Sequence, residues 1–227
     1  MPFFSGDHRQ PFPNRREAGK SLATYLSKYA GRNDVIVLAL PRGGVPVAFE
    51  VAQVLDAPMD LFLVRKLGTP GHRELAMGAI ASGGIRVLNE DVVRLYSISH
   101  SVIEHVVREE QAELERRERA YREDRVAPDL QDRIVILIDD GLATGSTMRA
   151  AAQAVRERQP SRVVVAVPVG ARETCAELAS YADEVICART PEPFSAVGQW
   201  YLDFAQTEDD EVRGLLQKSL ITRHVHR

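Results

Sequence analysis

The segment Ile134-Val-Ile-Leu-Ile-Asp-Asp-Gly-Leu-Ala-Thr-Gly-Ser-Thr147 constrains the fold of this chain more than any other. Its opening apolar run lacks the alternation of a half-exposed strand, so it suits a strand covered on both faces, the habit of parallel sheets. Two adjacent acids end the run. A turn of small residues follows, and a helix begins near Ser146 and Thr147 and reaches about Arg158.

The same texture recurs along the chain. Val35 to Leu40, Met59 to Val64, Arg162 to Val167 and Glu184 to Ala188 read as further strands, with helices at Val45 to Leu55 and Arg172 to Tyr181. Pro46 is tolerable in the first turn of its helix. This alternation predicts an α/β fold, a parallel sheet flanked by helices. Upstream, Asn14 caps a helix running to Tyr29, with Glu17 in capping-box position and Leu22, Tyr25, Leu26 and Tyr29 on one face.

Between the second and third strands the texture changes. Leu67 to Glu74 is rich in turn formers and charges, which predicts an exposed, mobile loop. Ala76 to Ala81 and Ile85 to Leu88 flank Ser82-Gly83-Gly84 as a hairpin. Ser99 to Asp124 is densely charged, with Val102, Ile103, Val106 and Leu114 as sparse apolar contacts, and predicts a long, largely solvated helix. Thr190 to Phe204 is irregular and aromatic, and Thr207-Glu-Asp-Asp210 resembles a capping box for a last helix through about Lys218.

Composition narrows the function classes. Lys+Arg 29 against Asp+Glu 32 gives a formal charge of -3, so no global basic excess points to nucleic acid. Met1 to Arg16 holds no apolar stretch of signal-peptide length, and no run approaches the ~18 apolar residues of a membrane span. The expectation is a soluble cytoplasmic protein, with homo-oligomerisation left open. Cys175 and Cys187 make no Cys-x-x-Cys pair, and Cys175 on an Ala-rich helix reads as packing rather than as a nucleophile. Gly19-Lys20-Ser21 echoes a phosphate-binding loop, but Asn14 stands where its first glycine belongs. The histidines show no zinc spacing, and His224 and His226 fall in a basic tail.

Ligands of parallel sheets bind beyond the carboxyl ends of strands. There the amides of Ala143 to Thr147 can converge on an anion, with the hydroxyls of Thr144, Ser146 and Thr147 as added donors. Asp139 and Asp140 would repel a bare phosphate, so they suit sugar hydroxyls or a bound cation. A ligand carrying both a phosphate and a diol accounts for the whole arrangement.

With these residues the segment resembles the signature of type I phosphoribosyltransferases. The resemblance covers most of Val35 to Ala188. It implies that Asp139 and Asp140 hold the ribose hydroxyls of 5-phosphoribosyl-1-diphosphate (PRPP), directly or through Mg²⁺. Ala143, Thr144, Gly145, Ser146 and Thr147 would wrap its 5-phosphate. Gly141 stands where a branched apolar residue is more usual. Leu40-Pro-Arg-Gly-Gly-Val45 matches the position of the diphosphate loop, which implies diphosphate contacts from Arg42, Gly43 and Gly44, with Arg65 and Lys66 nearby. Leu67 to Glu74 and its hairpin would form the lid, with His72, Arg73 and Glu74 as candidates for lid chemistry.

A small hood would come from residues 1–30 and 190–220 around a core of about 33–189, all within one domain spanning 1–227. Phe194, Trp200 and Tyr201 in the hood, with Phe204, suit stacking on a planar base. An aromatic cluster that ties down the last helix explains them equally well. In family members acting on 6-oxopurines an acid often stands at the position of Ala143, so alanine there speaks against that acceptor class. The implied activity is transfer of phosphoribose to a nitrogenous base or related amine with release of pyrophosphate, a step in nucleotide metabolism. A regulator that senses PRPP and reports to RNA, DNA or a protein partner is the second reading, motivated by the charged helix. A ligase or kinase of related fold is a third, without a separate ATP motif.

Overall fold

The computed structural model describes residues 10–122 and 126–225, apart from the side chains at 73, 74 and 221–225. Five parallel strands form the central sheet: β1 (Val35–Ala39), β2 (Met59–Leu61), β6 (Ile134–Ile138), β7 (Arg162–Val169) and β8 (Glu184–Arg189). Their spatial order is β2-β1-β6-β7-β8. From β1 the chain steps outward to β2, whereas from β6 it steps the other way through β7 to β8. The switch point therefore lies between β1 and β6, which pair in register from Val35↔Ile134 to Ala39↔Ile138. Helices on opposite faces leave a crevice at such a point, beyond the strand ends.

Alternate side chains of these strands feed two cores. Val35, Val37, Ala39, Ile134, Ile136 and Ile138 pack with α1 (Arg15–Tyr25) and α2 (Gly44–Leu55). Ile36, Leu38, Val135 and Leu137 pack on the other face with α5 (Ser146–Arg156) and α6 (Arg172–Leu178). Both faces are covered, as the uninterrupted apolar runs require. Asn14 caps α1 as expected, its side chain accepting from Glu17 N at 3.0 Å. The chain then continues into a 3₁₀ turn over Ser27–Tyr29.

The apolar run from Met59 to Val64 divides instead of forming one strand. β2 ends at Leu61, and Leu63 N bonds Ser82 Oγ at 3.0 Å while Ser82 N bonds Leu63 O at 2.9 Å. That exchange draws the chain out of the parallel sheet into a second, antiparallel one of β3 (Val64–Thr69), β4 (His72–Ala81) and β5 (Ile85–Leu88). Leu67 to Glu74 is thus not a loop. Only Pro70-Gly71 turns, and Leu67 and Thr69 are buried. The predicted hairpin at Ser82-Gly83-Gly84 joins β4 to β5.

Two further helices cover this antiparallel sheet. α3 (Glu90–Leu95), which periodicity did not reveal, is capped by Asn89 accepting from Val92 N at 3.2 Å. α4 (His100–Arg122) is less solvated than its charges predict. Ile103, Leu114 and Tyr121 are buried in the same core as Leu67, Met77 and Ile80. At its end Arg122, 4% exposed, donates to Leu61 O and pairs with Asp60 at 3.2 Å. The last helix, α7 (Asp209–Val225), starts just past Thr207 and extends beyond the predicted Lys218. No helix among the described residues is long and apolar enough to cross a membrane. Cys175 on α6 and Cys187 on β8 are joined by a disulfide, S–S 2.10 Å, which the sequence reading did not foresee.

Candidate functional site

The switch-point crevice brings together the turn after β1 and the turn after β6, with Lys66 beside the latter. The turn after β1 approaches the acids so closely that only glycine fits. A Cβ on Gly43 would lie 2.1 Å from Asp140 Oδ2, and one on Gly44 would lie 2.7 Å from Ile138 O. The Pro41–Arg42 peptide in this turn is cis. Asp139 and Asp140 leave β6 at its carboxyl end, and Asp140 N donates to Asp139 Oδ1 at 2.8 Å. Burial pushes the Asp139 carboxyl well above the usual carboxylate range, and the neighbouring Asp140 adds to it. Burial also raises Asp140, although Arg15 opposes the shift.

The chain then turns in close contact with its neighbours. A Cβ on Gly141 would lie 2.5 Å from Val197 Cγ1 and 3.0 Å from Val169 O, so Val197 fills the space that a branched residue would take. Leu142 rejoins the sheet edge, its N bonding Val169 O at 2.9 Å. Gly145, at φ 66°, precedes α5 in the left-handed region, where glycine is at ease. Thr174 Oγ1 donates to Ala143 O at 2.6 Å, and Thr144 Oγ1 lies 3.3 Å from Ser146 Oγ. The result is a helix N-terminus ringed by hydroxyls, a ready anion site.

Basic residues border it unequally. Lys66 on β3 donates to Ser146 Oγ at 3.0 Å, so it meets the turn directly. Arg42 instead lies 3.5 Å from Asp209 Oδ1, and Arg65 pairs with Glu110 on α4 at 2.5 Å. Arg42, Arg65 and Thr147 nevertheless line one small cleft, of about 40 Å³, together with Arg117 from α4. Arg117 escaped the sequence reading because its run of charges looks like a solvated helix face; here it also bonds Glu113 at 2.7 Å. A wider groove of about 830 Å³ opens on the other side of Lys66 and Ser146, between α5 and the antiparallel sheet.

The aromatic segment is occupied largely by its own contacts. Tyr201 is 5% exposed, stacks on Phe204 with centroids 5.1 Å apart, and donates its hydroxyl to Asp140 O at 2.5 Å. Phe194 and Trp200 pack on the same cluster beside Phe12 and Val169. Trp200 Nε1 is buried with no hydrogen-bond partner among the described residues. Arg15, at the start of α1, donates to Asp140 Oδ2 at 2.8 Å; nothing but its place beside a helix cap marked it in the sequence. His72 lies against Tyr96, ring centroids 5.0 Å apart. The side chains of Arg73 and Glu74 lie outside the described residues. No group of three or more His, Cys, Asp or Glu side chains that could hold a metal ion occurs among the described residues.

Fold and crevice together define an α/β protein with a polar site at the switch point of a parallel sheet. The family model described as phosphoribosyl transferase domain matches residues 11–204, and the chain belongs to that family. It is similar to two proteins of Mycobacterium tuberculosis, from strains CDC 1551 and H37Rv, provisionally named phosphoribosyl transferases. Each is 49% identical over 208 residues, covering 92% of this chain and 47% of the relative. The chain therefore spans about half the length of these curated relatives. The crystal structure of TT1426 from Thermus thermophilus superposes with a TM-score of 0.84 at 41% identity, covering 92% of this chain and 99% of that one.

Proposed function

We propose that the chain is a phosphoribosyltransferase that binds PRPP across the β6–α5 junction and transfers its phosphoribosyl group to a nitrogenous acceptor. One observation carries the reading. Paired acids and a hydroxyl-ringed helix N-terminus stand at opposite ends of the same short turn, where Lys66 also reaches Ser146 at 3.0 Å. A ribose phosphate needs a diol partner and a phosphate partner separated by about this much chain.

In this reading Thr144 to Thr147 hold the 5-phosphate, and Asp139 and Asp140 hold the ribose hydroxyls. Arg42, Gly43, Gly44 and Lys66 face the diphosphate, with Arg65 and Arg117 at the edge of its cleft. The bond from the anomeric carbon to the diphosphate oxygen breaks, and its electron pair leaves with pyrophosphate. The acceptor nitrogen's lone pair forms the new bond, and a proton carried by that nitrogen passes to the departing pyrophosphate or to water. Cations and amides fixed around the leaving group stabilise charge that develops only as the bond breaks.

The two carboxylates fit Mg²⁺, which commonly takes one or two protein carboxylates and completes its shell with substrate oxygens and water. Held by Asp139 and Asp140, Mg²⁺ would supply positive charge toward the departing pyrophosphate. The β3–β4 ribbon, with His72, Arg73 and Glu74 near its turn, is the element suited to cover the reacting groups. The segments flanking the core contribute the acceptor pocket. Ala143 offers no acid to a purine ring nitrogen, which disfavours hypoxanthine and guanine. The sensor reading stays as the alternative, since α4 buries Ile103, Leu114 and Tyr121 while many of its charges remain exposed.

The test is an acceptor screen with purified protein, PRPP and Mg²⁺, following pyrophosphate release across purines, pyrimidines and related amines. Acceptor-dependent release is expected. Tight PRPP binding with no release for any acceptor would favour the sensor and contradict transfer.

A further inference from the structure

Arg15 joins the acid pair to the aromatic segment at a single point. Its Nε donates to Asp140 Oδ2 at 2.8 Å, and a terminal nitrogen donates to Ala205 O at 2.7 Å. The centre of the guanidinium sits 3.9 Å from the Phe204 ring centroid. The side chains of Arg15 and Asp140 are 11% and 15% exposed, so this is an enclosed pair and not a solvated surface bridge. A rigid guanidinium fork suits such a junction, because its donors and its stacking face are fixed relative to one another.

The contacts leave the acids with a defined remainder. Asp140 Oδ2 is enclosed by Arg15 on one side and by the backbone of Gly43 on the other. Asp139 Oδ1 accepts from Asp140 N. Among the described residues no hydrogen bond reaches Asp140 Oδ1 or Asp139 Oδ2, which leaves these two oxygens to meet a ligand. A carboxylate otherwise rotates about its Cβ–Cγ bond, and a pair of hydroxyls on adjacent carbons needs both acceptors held still.

We propose that Arg15 is a positioning residue for the ribose diol: it grips one oxygen of Asp140, turns the other toward the sugar, and makes that geometry depend on the seating of residues 201–205. The inference rests on the phosphoribosyl reading of the site. Tyr201, donating to Asp140 O at 2.5 Å, braces the same acid through its backbone. The segment assigned to the acceptor and the residues assigned to the donor therefore share one mechanical link, through which acceptor binding can alter how the ribose is held.

Two fragments of the donor separate this role from simple structural support. Ribose 5-phosphate and inorganic pyrophosphate are titrated separately, without Mg²⁺, into the full chain and its Arg15→Gln and Arg15→Lys variants, by calorimetry. Arg15→Gln should weaken ribose 5-phosphate by about tenfold or more, the usual weight of a hydrogen bond to a charged group, and leave pyrophosphate unchanged. Arg15→Lys should recover part of the loss, since an ammonium can reach Oδ2 but cannot also stack and hold Ala205 O. Equal affinity of wild type and Arg15→Gln for ribose 5-phosphate overturns the positioning role alone. Parallel loss of both ligands, unrepaired by lysine, also overturns it. A wild-type chain that binds pyrophosphate but not ribose 5-phosphate overturns the ribose reading itself.

Discussion

Lys66 Nζ donates to Ser146 Oγ at 3.0 Å, joining the first strand of the antiparallel sheet to the turn that opens α5. The two residues come together because the chain leaves the parallel sheet after β2 and folds β3 back beside α5. An ammonium held there faces any phosphate on the turn. Charge-assisted hydrogen bonds to such groups contribute about 1.5–3 kcal/mol. Lys66→Gln should therefore raise the KM for PRPP by roughly tenfold to a hundredfold. Steady-state kinetics at saturating acceptor reads this directly, and an unchanged KM contradicts Lys66 as a phosphate partner.

The acids should make the ligand-free protein less stable as pH rises. Burial raises the Asp139 carboxyl well above the value of about 3.9 it has in an unfolded chain. Below that value both states are protonated and the acid does not oppose folding. As pH climbs toward the raised native value, only the unfolded state ionises, and stability falls. Asp139→Asn keeps an oxygen for Asp140 N but removes the penalty. The variant should melt higher than wild type at neutral pH, with the gap closing toward about pH 4, while losing PRPP binding. Calorimetric melts across that range check it; a variant that melts lower at neutral pH contradicts the account.

Gly141 is explained by what lies against it. A side chain there meets Val197, so Gly141→Val should destabilise the fold by about 1–3 kcal/mol through overpacking. Val197→Ala should restore part of the loss in the double variant, since the two sites are in contact. Urea midpoints for the four proteins of this cycle give the coupling, and strict additivity would show that the contact is not the cause.

The disulfide closes a loop with a sequence separation of 12 and holds α6, whose Thr174 anchors Ala143 O, to β8. A closure of this size stabilises by about 3 kcal/mol in the chain-entropy account, with wide scatter. Reducing agent should lower the urea midpoint of wild type and leave the Cys175→Ser, Cys187→Ser double variant unmoved. Identical midpoints with and without reductant contradict a stabilising bond.

Much of this was legible in the sequence, for identifiable reasons. Buried parallel strands announce themselves as unbroken apolar runs, so β1, β6 and β7 were found nearly to the residue. The turn between Asp140 and Ser146 was legible because its glycine, acids and hydroxyls have few other uses in that order. The division of Met59 to Val64 was not, because Phe62 and Leu63 are as buried outside the parallel sheet as their neighbours are inside it. Gly68, Pro70 and Gly71 disguised a β-ribbon as a loop, and the register shifts around Gly68 are where that composition is accommodated. Arg15 and Arg117 act on residues 125 and tens of positions away, and local pattern carries no trace of such partners. The two cysteines likewise meet only because α6 packs beside β8.

The central claim is that the turn from Asp139 to Thr147 holds PRPP. Calorimetric titration of PRPP with Mg²⁺ into wild type and into the Asp139→Asn, Asp140→Asn double variant tests it most directly. The account predicts saturable binding to wild type and its near-complete loss in the double variant, which should remain folded by circular dichroism. Equal affinity in both proteins would contradict it.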